Sequence, residues 1–214
     1  MKKLFLTTLA LCCVAFVSCG KKGAESQAES KSEMQTKVEE FATVRLSANL
    51  DKLSAKEKEL VGVFLDIAQI MDDLYWLQAY GNKADMDTIS DKFTKEFAMI
   101  NYGPWERLND MKPFVNGFGE KPLGANFYPK DMTKEEFDAL KDKNKSSLYT
   151  VLRRDESGKL VVKWYREEYK EQIDKVCELL DKAIGLAEDA GLKKYLQERK
   201  KAFQTDDYFA SDMA

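Results

Sequence analysis

Pairs of neighbouring carboxylates such as Asp72/Asp73, Glu135/Glu136, Glu167/Glu168 and Asp206/Asp207 have the residue types for general acid–base work or for holding a cation. Their spacing argues against both. Neighbours on a helix point about 100° apart, so the members of a pair do not converge on one substrate bond; they read as solvated helix surface and as partners of helix N-termini. Histidine is absent from all 214 residues. That excludes Ser-His-Asp and Cys-His catalysis and every zinc site built on imidazole. Of the four cysteines, Cys12, Cys13 and Cys19 fall in the N-terminal leader, which leaves Cys177. One thiol makes neither an internal disulfide nor a thiolate zinc site. Cys177 falls on an apolar helical stripe and reads as a small buried hydrophobe.

Cys19 carries a different chemistry. Lys2 and Lys3 precede an apolar run from Leu4 to Val17, too short for a permanent membrane span and suited to a cleaved signal. Phe16-Val17-Ser18-Cys19, followed by Gly20, matches a lipobox, with Phe16 an unusual residue at its first position. In such a tetrad the cysteine is lipidated and becomes the new N-terminus. Residues 1–19 are therefore expected to be a lipoprotein signal peptide, and the protein to sit in the bacterial cell envelope, held to a membrane by its lipid. Residues 20–37 are small, charged and polar without periodicity, and are expected to form a flexible tether. The formal net charge is −3 with both signs interspersed, which gives no electrostatic footprint for nucleic acid.

The elements that must position any site follow from periodicity. Phe41, Val44, Leu46 and Leu50 suggest an extended lead-in to a domain over 38–214. Ser54-Ala-Lys-Glu57 is a capping box, and Leu60, Phe64, Ile67, Met71, Leu74 and Leu77 then recur at helical spacing up to Gly81. A second helix is expected from about Asp87, with Ile89, Phe93, Phe97 and Ile100 on one face. Residues 101–132 hold all four prolines and a dense set of aromatics; a structureless stretch of ~30 residues is usually functional or disordered, and the aromatics argue against disorder. Thr133-Lys-Glu-Glu136 is a second capping box, with Met132 and Phe137 at the hydrophobic-staple positions. Leu148–Arg154 and Lys159–Tyr165 form a hairpin around Asp155-Glu-Ser-Gly158. Two closing helices carry Ile173, Val176, Leu180, Ile184 and Ala187, then, after Gly191, Leu192, Tyr195, Leu196 and Phe203. The fold class is mainly α with one β-hairpin, without βαβ alternation or a phosphate-binding glycine loop.

Four stretches carry a resemblance. Asn101-Tyr-Gly-Pro-Trp-Glu-Arg-Leu108, Lys121-Pro-Leu-Gly-Ala-Asn-Phe-Tyr-Pro-Lys-Asp-Met132, Ser147-Leu-Tyr-Thr-Val-Leu-Arg-Arg154 and Thr205-Asp-Asp-Tyr-Phe-Ala-Ser-Asp-Met-Ala214 resemble, in the same order, the N-terminal region of bacterial dipeptidyl-peptidase III-like proteins. The resemblance implies a single N-terminal lobe of a two-lobed zinc metallopeptidase that removes dipeptides from peptide N-termini. It implies a zinc held by two histidines of an H-E-x-x-G-H helix and a later glutamate, none of which this chain supplies. On this reading the chain has no catalytic or metal residue and no cofactor of its own, is inactive alone, and stops inside a segment that continues in the family, so that a C-terminal lobe is a missing partner. The motifs place Asn101, Tyr102, Trp105, Asn126, Phe127, Tyr128 and Asp131 near a peptide cleft, or in the framework that shapes it. Tyrosine and tryptophan offer rigid apolar area with one polar handle, and asparagine pairs with an extended peptide backbone. The alternative is a stand-alone, non-catalytic binding or structural lipoprotein.

Overall fold

The structure, a computed structural model, describes residues 31–214. The signal segment, Cys19 and most of the expected tether lie outside the described residues. The chain runs α1 (Glu33–Glu39), α2 (Ala55–Ala79), a 3₁₀ turn (Lys83–Thr88), α3 (Lys92–Asn101), β1 (Trp105–Glu106), β2 (Lys112–Pro113), α4 (Lys134–Ala139), β3 (Thr150–Arg154), β4 (Leu160–Trp164), α5 (Tyr165–Glu168), α6 (Lys170–Leu186), α7 (Ala190–Thr205) and α8 (Phe209–Asp212). Strand β1 pairs antiparallel with β2, and β3 with β4. The hairpin β3–β4 has the expected turn, with Gly158 at φ 81°; the two-residue pair β1–β2 is an addition that its short, proline-bounded sequence did not announce.

Local chemistry sets the helix starts. Ser54 and Glu57 form a reciprocal capping box at α2, as Thr133 and Glu136 do at α4. Two starts differ from the periodicity. Asn82 caps the 3₁₀ turn and Asp91 caps α3, so the helix expected from Asp87 begins at Lys92. Asp189 caps α7, which places Gly191 inside its first turn rather than before it.

Helix α2 is the spine. Its first half (Leu60, Val63) packs with Val176, Leu180 and Ala183 of α6 and Leu196 of α7 in one buried cluster. Its Leu74 joins Val151 of β3 with Tyr169, Ile173 and Cys177, and its Trp76 joins Met86 and Ala98. Each such fully buried aliphatic side chain contributes about 1.5–3 kcal/mol. Cys177 is buried in this packing, its thiol pushed up by that burial, as expected of a small hydrophobe.

The tether expected through residue 37 requires correction. Helix α1 begins at Glu33, capped by Ser32. Its seven residues hold two apolar side chains, Met34 and Val38, too short a run to signal a helix, yet Lys37 bridges Glu106 at 2.9 Å and lies 5.7 Å from the Phe97 ring, while Phe41 packs edge-on to Phe97. Tertiary partners, not periodicity, order it. Beyond Phe41 the lead-in forms no strand, and Val44 and Leu46 stand exposed. Among the described residues no helix is long and apolar enough to cross a membrane.

At the C-terminal end of α7, Asp206 adopts a left-handed conformation (φ 57°), and its carboxylate, with 1 % of the side chain exposed, accepts from Arg166 Nη1 at 2.6 Å. Burial outweighs this bond and raises the carboxyl above its ordinary range. The folded protein therefore binds the proton more tightly than the unfolded chain, and stability falls as pH rises through the window between the two pKa values. Asparagine tolerates the left-handed region and removes the buried charge. Asp206→Asn is expected to unfold at a higher temperature than wild type at pH 7, with the gap closing towards pH 4. A variant that unfolds earlier at pH 7 would show that the Arg166 pair, rather than desolvation, governs this position.

Candidate functional site

The proline-rich segment 101–132 is ordered because its polar groups find partners within it and on α2 and α3. Asn101 ends α3 with its side chain buried: Nδ2 donates to the Phe97 carbonyl at 2.9 Å, and Oδ1 accepts from the Arg107 N–H at 2.9 Å. Tyr102 turns the chain at φ 54°, and Gly103 follows at φ 142°, where a Cβ would press on the Trp105 ring at 3.3 Å. The Tyr102 hydroxyl donates to Asp72 on α2 at 2.5 Å, which raises its pKa, with burial as the second cause. Trp105 is buried and its Nε1 donates to the Gly119 carbonyl at 2.8 Å.

The second group of candidates hangs from the end of α2 and the edge of β3. Asn126 Nδ2 donates to the Leu77 carbonyl at 2.7 Å and its main-chain N–H to that of Gln78 at 3.0 Å. The Phe127 carbonyl accepts from Leu152 N–H at 2.9 Å, and its ring packs on the Leu74–Val151 cluster. Tyr128 packs edge-on to Phe137. Asp131 is exposed and accepts from Arg154 Nε at 2.8 Å; Arg154 also holds both oxygens of Glu136 at 3.1 Å.

The seven candidates thus form two sets, Asn101/Tyr102/Trp105 and Asn126/Phe127/Tyr128/Asp131. They meet at the C-terminal end of α2, where the Tyr80 ring lies 5.8 Å from that of Trp105. Asn101, Trp105, Asn126 and Phe127 spend their polar groups on the fold and act as framework. Tyr128 lines open space.

That space consists of two grooves flanking the turn Pro122–Leu123–Gly124. One, of about 680 Å³, runs between this turn and Asp110–Pro113, with Glu120, Lys121 and Phe127 in its wall. The other, of about 520 Å³, is bounded by Tyr128, Pro129, Lys130, Met132, Lys134 and Phe137. Leu123 stands on the shared ridge, 97 % exposed. Gly124, at φ 75°, lets the Tyr128 ring lie directly against the main chain, where any Cβ would collide with it. Lys121 reaches over the Trp105 ring at 5.8 Å, and burial, then the charge of Arg107, lowers its pKa. Residue typing missed Leu123 and Lys121 as wall residues, although both sit in the quoted stretch Lys121–Met132. An exposed leucine has no spacing signal until the turn that lifts it is known.

The donors do not fit the zinc that the resemblance implies. The chain has no histidine, its Cys177 thiol is buried, and among the described residues no three His, Cys, Asp or Glu side chains converge. What the site offers is a surface of rings, prolines and lysines.

No family model matches the chain. Its fold is nevertheless that of a dipeptidyl-peptidase III lobe. The structure of dipeptidyl-peptidase III from Caldithrix abyssi is similar with a TM-score of 0.75 at 36 % identity, covering 82 % of this chain and 36 % of that one. The enzyme from Corallococcus sp. strain EGB is similar with a TM-score of 0.76 at 31 % identity, covering 84 % of this chain and 36 % of that one. Nudix hydrolase 3 of Arabidopsis thaliana is 26 % identical over 244 residues, covering 85 % of this chain and 32 % of that protein. The chain is dipeptidyl-peptidase III-like over these residues and spans about a third of the length of the proteins it matches.

The framework role of Asn101 has a measurable consequence. Asn101→Ala removes the acceptor of the Arg107 N–H and the side-chain donor on the Phe97 carbonyl, a loss of roughly 0.5–1.5 kcal/mol for each bond. The expected urea midpoint is lower with an unchanged slope. A midpoint equal to wild type would mean that water or a neighbour replaces the amide, and that Asn101 is free for another role.

Proposed function

We propose that this chain forms a peptide-holding wall of an exported dipeptidyl-peptidase III-like protein, with the zinc chemistry supplied from outside these residues. The observation that carries the reading is the similarity to two bacterial dipeptidyl-peptidases III at 36 % and 31 % identity over more than four fifths of the chain. The grooves beside Tyr128 agree with it: they offer apolar walls for side chains and lysine ammonium groups for carbonyl or carboxylate oxygens. Tyr128 faces the peptide in this reading, while Asn101, Trp105, Asn126 and Phe127 hold the wall, Asp131 braces it through Arg154 and Tyr102 fixes its join to α2. Zinc, where such a protein holds it, polarises the scissile carbonyl and activates water; this chain's own residues bind and orient.

The test uses the purified chain. It is expected to leave dipeptidyl-2-naphthylamide intact and to carry no zinc after dialysis, yet to bind a tetrapeptide. Tyr128→Ala is expected to weaken that binding by about tenfold, roughly 1.4 kcal/mol. Stoichiometric zinc with chelator-sensitive release of dipeptides would sink the proposal, and tetrapeptide binding indifferent to Tyr128→Ala would move the peptide off this wall.

The anchor belongs to the same proposal. Lipidation at Cys19 would hold the protein at a membrane of the cell envelope, with more than one acyl chain because a single chain binds only marginally. Fractionation of expressing cells is expected to find wild type with membranes and Cys19→Ala released or uncleaved. Wild-type protein cut before Cys19, without added lipid mass and in the soluble fraction, would refute the anchor.

A further inference from the structure

A third space shares no lining residue with either groove. It is a cleft of about 260 Å³ between α2, the start of β3, α5–α6 and the end of α7. Its walls are Met71, Leu74, Tyr75, Gln78, Tyr149, Tyr165, Tyr169, Ile173, Phe203 and Tyr208, five of them tyrosines. Met71, Tyr75 and Tyr149 are exposed and form the rim; Leu74, Tyr169 and Ile173 are buried and form the floor. The rings are set at angles around the space: Tyr149 meets Tyr165 at 86° with centroids 6.4 Å apart, Tyr165 meets Tyr169 at 62° and 5.6 Å, and Phe203 meets Tyr208 at 84° and 5.8 Å.

We propose that this cleft, lined by Met71, Tyr75, Gln78, Tyr149, Tyr165 and Tyr169, is a binding site for an uncharged aromatic ring of about phenol size.

Three observations support the assignment. The volume exceeds the ~150 Å³ that holds benzene in an apolar cavity, and the walls present both ring faces and ring edges, which suit offset and edge-to-face contacts. The floor is apolar. Tyr169 is 5 % exposed, its hydroxyl is sealed from solvent beside Gln78 and Arg153, and burial above all raises its pKa, so what it turns to the cleft is ring. The charge pattern selects a neutral ligand. Tyr165 and Tyr208 are pushed up to about 12, by burial first, so both remain uncharged donors. The cation-binding face of Tyr208 is already taken by Arg199 at 5.3 Å, with Tyr149 stacked at 5.1 Å, and Arg166 is committed to Asp206.

The purified protein is titrated with 4-fluorophenol under fluorine NMR. Saturable broadening is expected, with half-saturation on the order of 1 mM for so small a ligand. Met71→Trp, which fills the mouth from an exposed rim position, is expected to weaken binding at least tenfold, about 1.4 kcal/mol, and Leu65→Trp, exposed elsewhere on α2, to leave it unchanged. Should Met71→Trp lose its helical circular dichroism, Tyr149→Ala at the facing rim reads the same loss. Competition by N-acetyl-phenylalaninamide assigns the ring to a peptide side chain, and failure to compete assigns it to a free small molecule. No saturation by ~10 mM, undiminished binding in the rim variants, or displacement by choline overturns the proposal. These outcomes are independent of tetrapeptide binding at Tyr128.

Discussion

The bond from the Asn126 side-chain amide to the Leu77 carbonyl, reinforced by the Asn126 N–H on Gln78, fixes where the irregular segment meets the helical spine. Carbonyls in the last turn of a helix have no partner within the helix, and the chain that follows must supply one. Here the donor comes from a residue about fifty positions later. Once Asn126 is seated, Phe127 falls into register beside β3, and its carbonyl accepts the Leu152 N–H. Tyr128 is then presented on the far side of Gly124. The groove walls depend on this attachment, because the segment between Gly103 and Met132 has little regular structure to hold itself.

Arginine guanidinium groups extend the attachment into the rest of the domain. Arg153 reaches Glu168 at 2.6 Å and the carbonyls of Asn126 and Leu152, joining the segment, β3 and α5. Arg154 ties Asp131 and Glu136, so that α4 is held against the hairpin. Arg166 ties Asp206 and the Thr205 carbonyl, so that α7 is held against α5. A planar fork with several donors serves these junctions where a lysine, a single point of charge, serves one partner at a time. The Arg153 and Arg154 pairs are partly exposed and modest in energy alone, whereas Asp206 is buried against Arg166; the value of all three lies in fixing the angles at which elements meet.

The division of labour that results is physical. Residues whose polar atoms are consumed by the fold, such as Asn101 and Trp105, give rigidity to the wall, and residues left with an open face, such as Tyr128 and Leu123, give it a surface. A rigid aromatic wall loses little conformational entropy when a peptide or a ring settles on it, which is the circumstance in which apolar contact converts into affinity.

The capping boxes at Ser54 and Thr133, the turn at Gly158 and the apolar stripes of α2, α6 and α7 were legible in the sequence because each is decided within a few residues. The absence of histidine excluded imidazole chemistry by count alone, and the four ordered stretches identified the dipeptidyl-peptidase III-like fold. The rest was decided by contacts between distant positions. Helix α1 carries just two apolar side chains, Met34 and Val38, in seven residues, and its Lys37 is held by Glu106, nearly seventy residues away. Asn126 becomes framework only because Leu77 is there to receive it. The tyrosine cleft draws its walls from residues 71 to 208, none of them distinctive in its own segment, and it takes shape only when α2, β3 and α5–α7 are packed. Periodicity reports which face of an element is buried; what that face meets is set by the tertiary fold.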